Sequence, residues 1–506
     1  MSTLFTYGTP GAEPIDAVVR FISPRELSDA SAEWLLPQID QAIRSLSLKG
    51  LFKGEAEQAH VIQTLGLYPA AEHVIVVGYE EQSGADGLRL AAATAAKALK
   101  RIKAQSVHVL LPLSAVEAEG LSQQQAAQAL TEGLKLAVHD RLPEKREAKT
   151  RYAIGKVYFS IAGNEAQGAA SDSSKQWIAG ITRGVACADG VISARDLTNI
   201  AGNKLVPEGL ATYAEELARQ YDFDIEIIDE WTAAEQGMGG LLGVGQGSIN
   251  PPRMIVLHYK GAPGEQAAWG LIGKGITFDT GGISLKRAPS MEEMIADMGG
   301  AAAVLGAMQA VGELKPAVNI IAVIPSAENM PSDRALKPGD VITMMNGLTV
   351  EVVNTDAEGR LVLGDGLTTA IRRGATKLID VATLTGAVSV ALGSQATGAV
   401  TNHDGLMQQV REASERAGER VWQLPAYPEY KKQIRSEAAD LKNSGGREAG
   451  TITGGLFIGA FAEDLPWVHL DIAGVSFRES AKALEPKGGT GVMVRTLVEL
   501  MYAAKA

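Results

Sequence analysis

The chain has 506 residues, too many for one compact core, so two or three domains are expected. Apolar residues make up 46% and charged residues 21% of the chain, which argues against a disordered, collagen-like or disulfide-rich miniprotein class. Its 59 acidic and 47 basic side chains give a net charge of −12, which disfavours bulk electrostatic binding of nucleic acid and leaves only a local basic patch open.

Signals for secretion or for a membrane span are not expected in this chain. Residues 1–6 lack a basic stretch followed by an apolar run, as a secretory signal requires. The longest chargeless stretch, residues 381–403, holds too many Ser, Thr, Gln and Asn side chains for a lipid-facing helix. The single cysteine, Cys187, excludes an internal disulfide and a thiolate zinc cage. We therefore expect a cytoplasmic protein with no membrane partner.

The first part of the chain alternates apolar strands with helical patterns. Strands are predicted at residues 73–78 and 107–111, and helices at residues 88–103 and 122–139. This alternation is typical of an α/β layer with a largely parallel sheet. Residues 163–175 are small, polar and rich in Gly and Ser, which predicts a boundary or linker.

The second part begins with a connecting helix at residues 177–199 and a helix at 208–221. Its predicted strands are residues 224–228, 254–259, 270–278, 318–324, 350–353, 377–382 and 467–472. We therefore expect two α/β domains, with the larger at the C-terminal end and a mixed, largely parallel central sheet flanked by helices. The predicted bounds are 1–166 for the N-terminal domain, 167–200 for the linker helix and 201–506 for the C-terminal domain.

The first concentration of chemistry surrounds a lysine in an apolar run. Lys274 lies inside the predicted strand 270–278, and Asp279 ends that strand just before Gly281 and Gly282. A charged lysine is costly to bury in a sheet unless it is paired or neutralised. Ligands bind at strand ends in open α/β sheets, and glycine lets the backbone approach them closely. The alternative is a lysine that reaches solvent from the end of a strand.

The second concentration follows the predicted strand 350–353. Asp356 and Glu358 are two residues apart, so in an extended segment their side chains would point the same way. Arg360 comes two residues later. Adjacent carboxylates favour a bound cation, although an exposed loop with a local salt bridge is an alternative interpretation.

Together, the two segments indicate a metal site. Four carboxylates are expected at or near the ends of apolar strands or helices, namely those of Asp279, Asp297, Asp356 and Glu358. They balance two divalent ions, a neutral Lys274 amine adds a nitrogen ligand, and Lys286 and Arg360 remain to hold anions. A two-metal hydrolase needs this set, because its metals make a hydroxide and stabilise the developing oxyanion.

Other catalytic templates fit less well. The sequence contains no HExxH or GxSxG motif, and residues 270–275 lack the GxxxxGK[ST] pattern of a phosphate-binding loop. The glycines of residues 243–247 lack the third Rossmann spacing. Two classes remain open beside the hydrolase: a non-catalytic scaffold that keeps the fold, and a nucleotide-dependent oxidoreductase or kinase.

These segments resemble the leucyl aminopeptidase family, the two-metal cytosolic aminopeptidases. Residues 354–361, NTDAEGRL, match the family signature letter for letter, and residues 273–279 are similar to its metal-binding strand. Further similarity lies at residues 245–248, 297–302, 382–386 and 469–474. The likeness covers about the C-terminal three-fifths of the chain, and the N-terminal domain shows no matching motif.

The resemblance implies a role for each matching residue. One metal would be held by Lys274, Asp279, Asp297 and Glu358, and the other by Asp279, Asp356 and Glu358 with the backbone carbonyl of Asp356. Arg360 would bind a bicarbonate ion that serves as general base, and Lys286 would polarise the scissile carbonyl. The implied substrate pocket comprises Met294, Asn354, Thr383, Leu384, Gly386 and Ala473.

The resemblance also implies the activity. It indicates a metalloaminopeptidase that removes Leu and other, mainly apolar, N-terminal residues from peptides with a water activated by two metals. The implied cofactors are two divalent ions, Mn or Zn with Mg or Co as alternatives, and bicarbonate. The family further implies a cytoplasmic homohexamer that acts on peptides, and no nucleic-acid partner is predicted.

Overall fold

The computed structural model describes residues 3–11, 13, 15–111, 120–141, 144–147, 151–161 and 172–504. The chain divides into two compact units, the first comprising Met1–Ala188 with Ser480–Lys487 and the second Asp189–Glu479 with Gly488–Ala506. Most of the predicted boundary segment, residues 163–171, lies outside the described residues. The predicted domain bounds at residues 166 and 200 stay a prediction.

The first unit is an α/β layer built on one mainly parallel sheet. In the described part of this unit the strands β1 to β6 are Leu4–Tyr7, Ile15–Ile22, Ala59–Gln63, Ala71–Gly78, Ser106–Leu111 and Lys156–Ile161. They pair in the order β1-β6-β5-β2-β4-β3, and the β3–β4 pair is antiparallel. The helices α1 to α4 are Pro24–Ser28, Pro37–Leu48, Gly84–Ile102 and Gln123–Val138, and α5, Asp172–Thr198, begins in this unit and ends in the second. The strands and helices predicted for this part of the chain are confirmed.

The second unit contains a larger, mixed sheet. Over the described residues the strands β7 to β20 are Asp224–Ile228, Arg253–Lys260, Ala268–Gly273, Gly275–Asp279, Asn319–Asn329, Val341–Thr343, Thr349–Glu351, Ala375–Ala382, Thr397–Thr401, Val421–Gln423, Leu441–Lys442, Trp467–Asp471, Phe477–Arg478 and Gly488–Gly489. The large sheet has the order β16-β15-β18-β14-β9-β11-β8-β7, and β10 pairs with β11. Its central strands β18, β14, β9 and β11 are parallel, so the predicted mixed, largely parallel fold class is confirmed.

The second unit also contains helices between the strands of its sheet. The α-helices α6 to α14 of the described residues are Pro207–Tyr221, Glu230–Glu235, Gly239–Gly245, Gly299–Leu314, Gly359–Arg372, Gly386–Leu392, Asp404–Ala417, Gly450–Gly459 and Val494–Ala503. Two 3₁₀ helices span Met291–Met298 and Pro428–Ile434. The run Met291–Leu314 is long and apolar enough to cross a bilayer, but 83% of its apolar window is buried inside the protein, as in a core helix.

The prediction of one continuous strand at residues 270–278 is wrong, because two strands, β9 and β10, occupy this region. The two strands are separated at Lys274, and the long strand β11 spans the break by pairing with β9 through Ile320–Val323 and with β10 through Ser326–Asn329. The Lys274 backbone leaves this ladder because its N–H donates to Val381 O and its carbonyl accepts from Ala301 N, at 3.0 and 2.8 Å. The break turns Lys274 toward the carboxyl ends of the neighbouring strands.

Candidate metal centre

Lys274 is buried against two carboxylates. Its side chain is 3% exposed, and Nζ lies 2.8 Å from Asp297 Oδ1 and 2.8 Å from Glu358 Oε1. Nζ also donates to the carbonyl of Thr383 at 2.9 Å. These contacts use all three protons of an ammonium group. The alternative of a lysine that reaches solvent is therefore wrong.

Asp279 is the last residue of β10, and the chain then turns so that the Lys286 side chain contacts the Asp279 carboxylate. Asp279 Oδ1 accepts from the Gly281 N–H and from Asn329 Nδ2, both at 2.8 Å, and Oδ2 lies 2.7 Å from Lys286 Nζ. Gly281 and Gly282 have φ of +85° and +62°, which favour glycine. The paired glycines of the sequence therefore make the turn that brings a cation to this carboxylate.

Asp356 and Glu358 lie in a turn, so the extended conformation expected for them is wrong. The preceding strand β13 already ends at Glu351, and Glu358 has helical angles, φ −77° and ψ −37°, at the start of α10. The two carboxylates still converge, because one oxygen each from Asp279, Asp356 and Glu358 lie within 4.8 Å of one another. Lys286 also contacts the Asp356 carboxylate. The exposed-loop interpretation fails for Glu358, whose side chain is 3% exposed, whereas the Asp356 side chain is 33% exposed.

Burial and mutual repulsion control ionisation in this cluster. Burial, with the neighbouring charge of Glu358, raises the pKa of Asp279 to about 6. Burial also raises the pKa of Asp297 well above its ordinary value. Burial opposes ionisation of Glu358 as well, but Lys274 and Lys286 outweigh it and leave the pKa of Glu358 below its ordinary value. The cluster thus holds carboxylates that need more positive charge than its lysines supply.

The donor set fits divalent ions. Full ionisation of the four carboxylates would give a charge of −4 against +2 from the two lysines, so it requires two more positive charges at the cluster. Asp297 Oδ2 is buried and accepts no hydrogen bond from any residue that the structure describes. An orphaned carboxylate oxygen beside a lysine nitrogen is a set of ligands that hard or borderline dications accept.

Arg360 is the second residue of α10, and its side chain is buried and only partly paired. Nη1 donates to the carbonyl of Asn443 at 2.7 Å, while Nε is buried with no hydrogen-bond partner among the described residues. A Cβ at Gly454 would lie 3.3 Å from Nη2, so this glycine keeps the guanidinium face clear. Burial lowers the pKa of Arg360 to about 10, which leaves it a cation at neutral pH. A buried cation with an unpaired N–H favours an anion.

Most residues of the predicted substrate pocket are tied to the cluster or to one buried carboxylate. Thr383 Oγ1 donates to Asp297 Oδ1 at 2.8 Å. The backbone N–H groups of Leu384 and Ala473 both donate to Asp471 Oδ1, at 3.1 and 3.2 Å. The three others are placed as follows: Asn354 Oδ1 accepts from Asp356 N at 3.0 Å, Met294 lies on the 3₁₀ helix that ends at Met298, and Gly386 is exposed at the start of α11.

Two family models match this chain. Residues 192–498 match the catalytic domain of the cytosol aminopeptidase family, and residues 18–142 match its N-terminal domain. The chain belongs to the cytosol aminopeptidase family. The family predicted from the signature segments is confirmed, and the second match extends it to the N-terminal region, where the sequence analysis found no motif.

Three relatives of this chain are each described as a probable cytosol aminopeptidase. A probable cytosol aminopeptidase of Alkaliphilus metalliredigens is 44% identical over 452 residues, which cover 89% of this chain and 88% of the relative. Probable cytosol aminopeptidases of Bacillus licheniformis and Bacillus subtilis are 58% identical over 307 residues and 49% over 376 residues. These alignments cover 60% of this chain and 62% of the first relative, and 74% of this chain and 74% of the second.

Solved structures agree with the sequence comparisons. A tomato leucine aminopeptidase mutant has a TM-score of 0.85 and 31% identity, covering 99% of this chain and 96% of that chain. The bottromycin maturation enzyme BotP in complex with Mn has a TM-score of 0.83 and 33% identity, covering 97% of this chain and 100% of that chain. Family membership makes the protein a metal-dependent aminopeptidase, a hydrolase of peptides. The alternative interpretation of the chain as a nucleotide-dependent oxidoreductase or kinase is therefore wrong.

Two buried asparagines support the cluster and were not predicted. Asn329, at the end of β11, donates to Asp279 Oδ1 at 2.8 Å and to the carbonyl of Thr355 at 2.9 Å. Asn443 is fully buried and bonds the backbone of residues 353–357. Such residues fix the orientation of metal-binding carboxylates. No direct sequence signal pointed to Asn329, because the predicted strand ends at residue 324 and the observed strand β11 continues to Asn329.

Gly359 is a third residue that supports the cluster, because it leaves space for the Lys274 side chain. A Cβ at this position would lie 2.5 Å from Lys274 Cε and 2.7 Å from Nζ, so Gly359→Ala must displace the buried lysine. We expect metal affinity to fall about tenfold, as for other changes beside a metal ligand. Titration calorimetry with Mn²⁺ would measure the affinity.

The matched control is Gly209→Ala in α6, where the new Cβ would meet its nearest atoms at an ordinary 3.7 Å. This variant should bind Mn²⁺ like the parent protein. Equal Mn²⁺ affinities of the two alanine variants would show that a side chain at position 359 does not disturb Lys274 as a metal ligand.

Proposed function

We propose that this aminopeptidase removes Leu and other, mainly apolar, residues from the N-termini of peptides through a water activated by two divalent ions, with bicarbonate as general base. One observation carries the proposal: the Lys274 amine lies 2.8 Å from both Asp297 and Glu358, beside three carboxylates whose oxygens converge within 4.8 Å. A non-catalytic scaffold would have no use for this costly buried set.

The proposed ligand sets follow the family pattern. Lys274, Asp279, Asp297 and Glu358 would hold one ion, and Asp279, Asp356 and Glu358 the other, with the Asp356 carbonyl. Mn or Zn is the proposed metal, with Mg and Co as alternatives, and the Mn complex of BotP supports Mn. When bound, the ions supply Lewis-acid chemistry, lowering the pKa of a water and neutralising negative charge in the transition state.

Lys274 must give up a proton to become a ligand. Burial alone would lower its pKa, but the carboxylates of Asp297, Glu358 and Asp279 outweigh burial and raise the pKa above its ordinary value. The carboxylates thus hold the protonated lysine until other cations replace that charge. Metal binding should therefore release a proton and weaken as the pH falls.

Lys286 is proposed to polarise the scissile carbonyl. Its Nζ lies 2.7 Å from Asp279 Oδ2 and also contacts Asp356, so two carboxylates of the cluster aim the ammonium group at the site. Burial would lower the pKa of Lys286, but Asp279 and its neighbours outweigh burial and raise the pKa, which keeps Lys286 a cation. A fixed cation there stabilises the oxyanion that forms during hydrolysis.

Substitution of Lys286 should separate this role from metal binding. In Lys286→Met we expect kcat to fall by about 10²–10³, the usual cost of removing one oxyanion donor. Metal content should be retained, because the change frees two carboxylates from a competing cation. Steady-state kinetics and elemental analysis measure the two quantities. The exposed neighbour Arg287, changed to Met, loses the same charge and should keep the parent kcat; an unchanged kcat in Lys286→Met would remove the assigned role.

Arg360 is proposed to hold the bicarbonate ion. The guanidinium is cationic, its Nε is buried and unpaired within the described chain, and Gly454 leaves one face open. Its Nη1 bond to the Asn443 carbonyl fixes the orientation of the group. A planar, oriented guanidinium suits a small planar oxyanion. In the resembled family the general-base role belongs to this ion.

The preference for apolar N-terminal residues rests on the proposed pocket. Met294, Leu384 and Ala473 supply apolar or small side chains, and Gly386 supplies none. Asn354 and Thr383 are already engaged, through Asp356 N and Asp297, which leaves little unpaired polarity for a substrate side chain. An apolar side chain loses least on entering such a pocket.

A panel of dipeptides that differ in the N-terminal residue tests the proposal. We expect hydrolysis of Leu and other apolar N-terminal residues, loss of activity with a chelator, and recovery with Mn²⁺ or Zn²⁺. Hydrolysis that survives the chelator would contradict the metal mechanism, and a preference for charged N-terminal residues would contradict the proposed pocket. We further propose, from the family resemblance, a cytoplasmic homohexamer without a nucleic-acid partner; sedimentation analysis checks the oligomeric state.

A further inference from the structure

A buried carboxylate lies between the two strand ends that carry most of the proposed substrate pocket. Asp471 is the last residue of β18, and its register partner in the parallel pair is Ala382, the last residue of β14. The chain leaves β14 through Thr383 and Leu384 and leaves β18 toward Ala473, and these three residues belong to the proposed pocket. Asp471 is fully buried at this edge of the sheet, and the proposed mechanism gives it no role.

Asp471 holds the two segments that follow these strands together through one oxygen. Oδ1 accepts from the N–H groups of Leu384 and Thr385 after β14, at 3.1 and 3.4 Å. The same oxygen accepts from the N–H group of Ala473 after β18, at 3.2 Å. Hydrogen bonds to a charged acceptor are about twice as strong as those between neutral groups. The carboxylate therefore fixes the separation of Leu384 from Ala473.

The second oxygen of Asp471 contacts the start of α11. Oδ2 accepts from Thr385 Oγ1 at 2.6 Å, and the same hydroxyl accepts from the N–H group of Val388 at 3.2 Å, which caps the helix. Gly386 is the first residue of α11, so the position of this pocket residue also depends on the carboxylate. Both strand ends and the start of the helix thus share one acceptor group.

A histidine beside Asp471 favours its charged form. His469 lies two residues earlier on β18, so its side chain points to the same face of the sheet. His469 Nδ1 lies 2.6 Å from Asp380 Oδ1, and Asp380 Oδ2 accepts from Trp467 Nε1 at 2.7 Å. Burial would lower the pKa of His469, but the Asp380 carboxylate outweighs burial and raises the pKa. Burial raises the pKa of Asp471, and the charge of His469 opposes that rise.

We infer, on the basis of the proposed function, that Asp471 is a positioning residue that sets the width of the pocket for the N-terminal side chain. A fully buried charge is costly, and an apolar residue of similar volume would cost less. The charge is explained if the pocket must keep its walls at a fixed separation. A pocket of fixed width discriminates by about 10–200-fold for each methylene group that it encloses. Asp471 therefore controls how well the enzyme distinguishes Leu from Ala at the N-terminus, without contacting the substrate.

Steady-state kinetics on the dipeptides Leu-Gly and Ala-Gly, with the full-length enzyme at saturating Mn²⁺, test this role. The test variant is Asp471→Ala. Its matched control is Asp365→Ala, because Asp365 is also fully buried and accepts from the N–H groups of Leu241 and Met345, both at 2.9 Å, in segments without pocket residues. Thermal melting and elemental analysis measure the stability and the metal content of each variant.

We expect the parent to prefer Leu-Gly. In Asp471→Ala the ratio of kcat/KM for Leu-Gly to that for Ala-Gly should fall about tenfold, mainly through a higher KM for Leu-Gly, with metal content retained. Asp365→Ala should also lose stability but keep the parental ratio. Asp471→Asn restores an acceptor without the charge and should recover part of the ratio. If Asp471→Ala does not fold, Asp471→Asn becomes the test variant, with Asp365→Asn as its control and a smaller fall expected.

A parental ratio in the test variant, or an equal fall in its Asp365 control, overturns the role of Asp471 and leaves the proposed function intact. A fall in metal content with an unchanged ratio also overturns this role, because Asp471 would then support the metal centre instead of the pocket. A parent enzyme without a preference for Leu-Gly contradicts the proposed pocket and the role of Asp471 together.

Discussion

Glu358→Gln is expected to remove both metal ions and to lower peptidase activity by at least about 10³-fold. The Glu358 carboxylate lies 2.8 Å from Lys274 Nζ and converges with those of Asp279 and Asp356, so its loss affects both proposed ligand sets. Glutamine keeps the volume and removes the charge, so no cavity forms in the buried site. The expected loss follows because metals provide most of the rate enhancement in such a site.

Elemental analysis of the purified variant and hydrolysis of Leu-amide with saturating Mn²⁺ measure the two effects. Glu292→Gln is the matched control, because Glu292 is exposed on the 3₁₀ helix that leads to Asp297 and loses the same charge. Circular dichroism should show both variants folded. A Glu358→Gln enzyme with full metal content and parental activity would overturn the ligand assignment and, with it, the proposed mechanism.

The fold was predictable because its strands are continuous apolar runs. Strands covered on both faces, such as Ala71–Gly78 and Ala375–Ala382, are apolar along most of their length and stand out from amphipathic helices. The break at Lys274 was not predictable, because the apolar pattern continues through it. Only the pairing of β9 and β10 with different halves of Asn319–Asn329 reveals the break, and that pairing joins distant parts of the chain.

The site was predictable as far as its residues carry unusual chemistry. Lys274 in an apolar run and Asp279 at a strand end are costly placements that point to a ligand. The residues that support this site, Gly359 and Asn443, were not predictable, because neither has an unusual sequence context. A glycine at a helix start or an asparagine in a polar loop is common in surface turns. Their roles depend on a close approach to Lys274 and on contacts across about ninety residues, which local sequence patterns do not encode.

Asn443→Ala is expected to loosen the turn that carries Asp356 and to reduce both stability and activity. Asn443 Oδ1 accepts from the N–H groups of Val353 and Asn354 at 2.9 and 3.3 Å, and Nδ2 donates to the carbonyls of Asn354 and Ala357 at 2.7 and 3.2 Å. Each buried partner left unpaired costs about 1–3 kcal/mol. With partial access of water, we expect a loss of about 3 kcal/mol and an activity at least about tenfold lower.

Hydrogen exchange distinguishes this local effect from general destabilisation. In Asn443→Ala the amides of Val353 and Asn354 should exchange faster, whereas those of the central strand Ala375–Ala382 should keep most of their protection. Asn402→Ala is the control, since exposed Asn402 also bridges two backbone groups, Leu465 O and Trp467 N. It should lose little stability because water replaces its bonds, and it should keep full activity. Unchanged exchange at residues 353–354 in Asn443→Ala would mean that the turn holds its shape without this side chain, and that the carboxylates are positioned by the start of α10 alone.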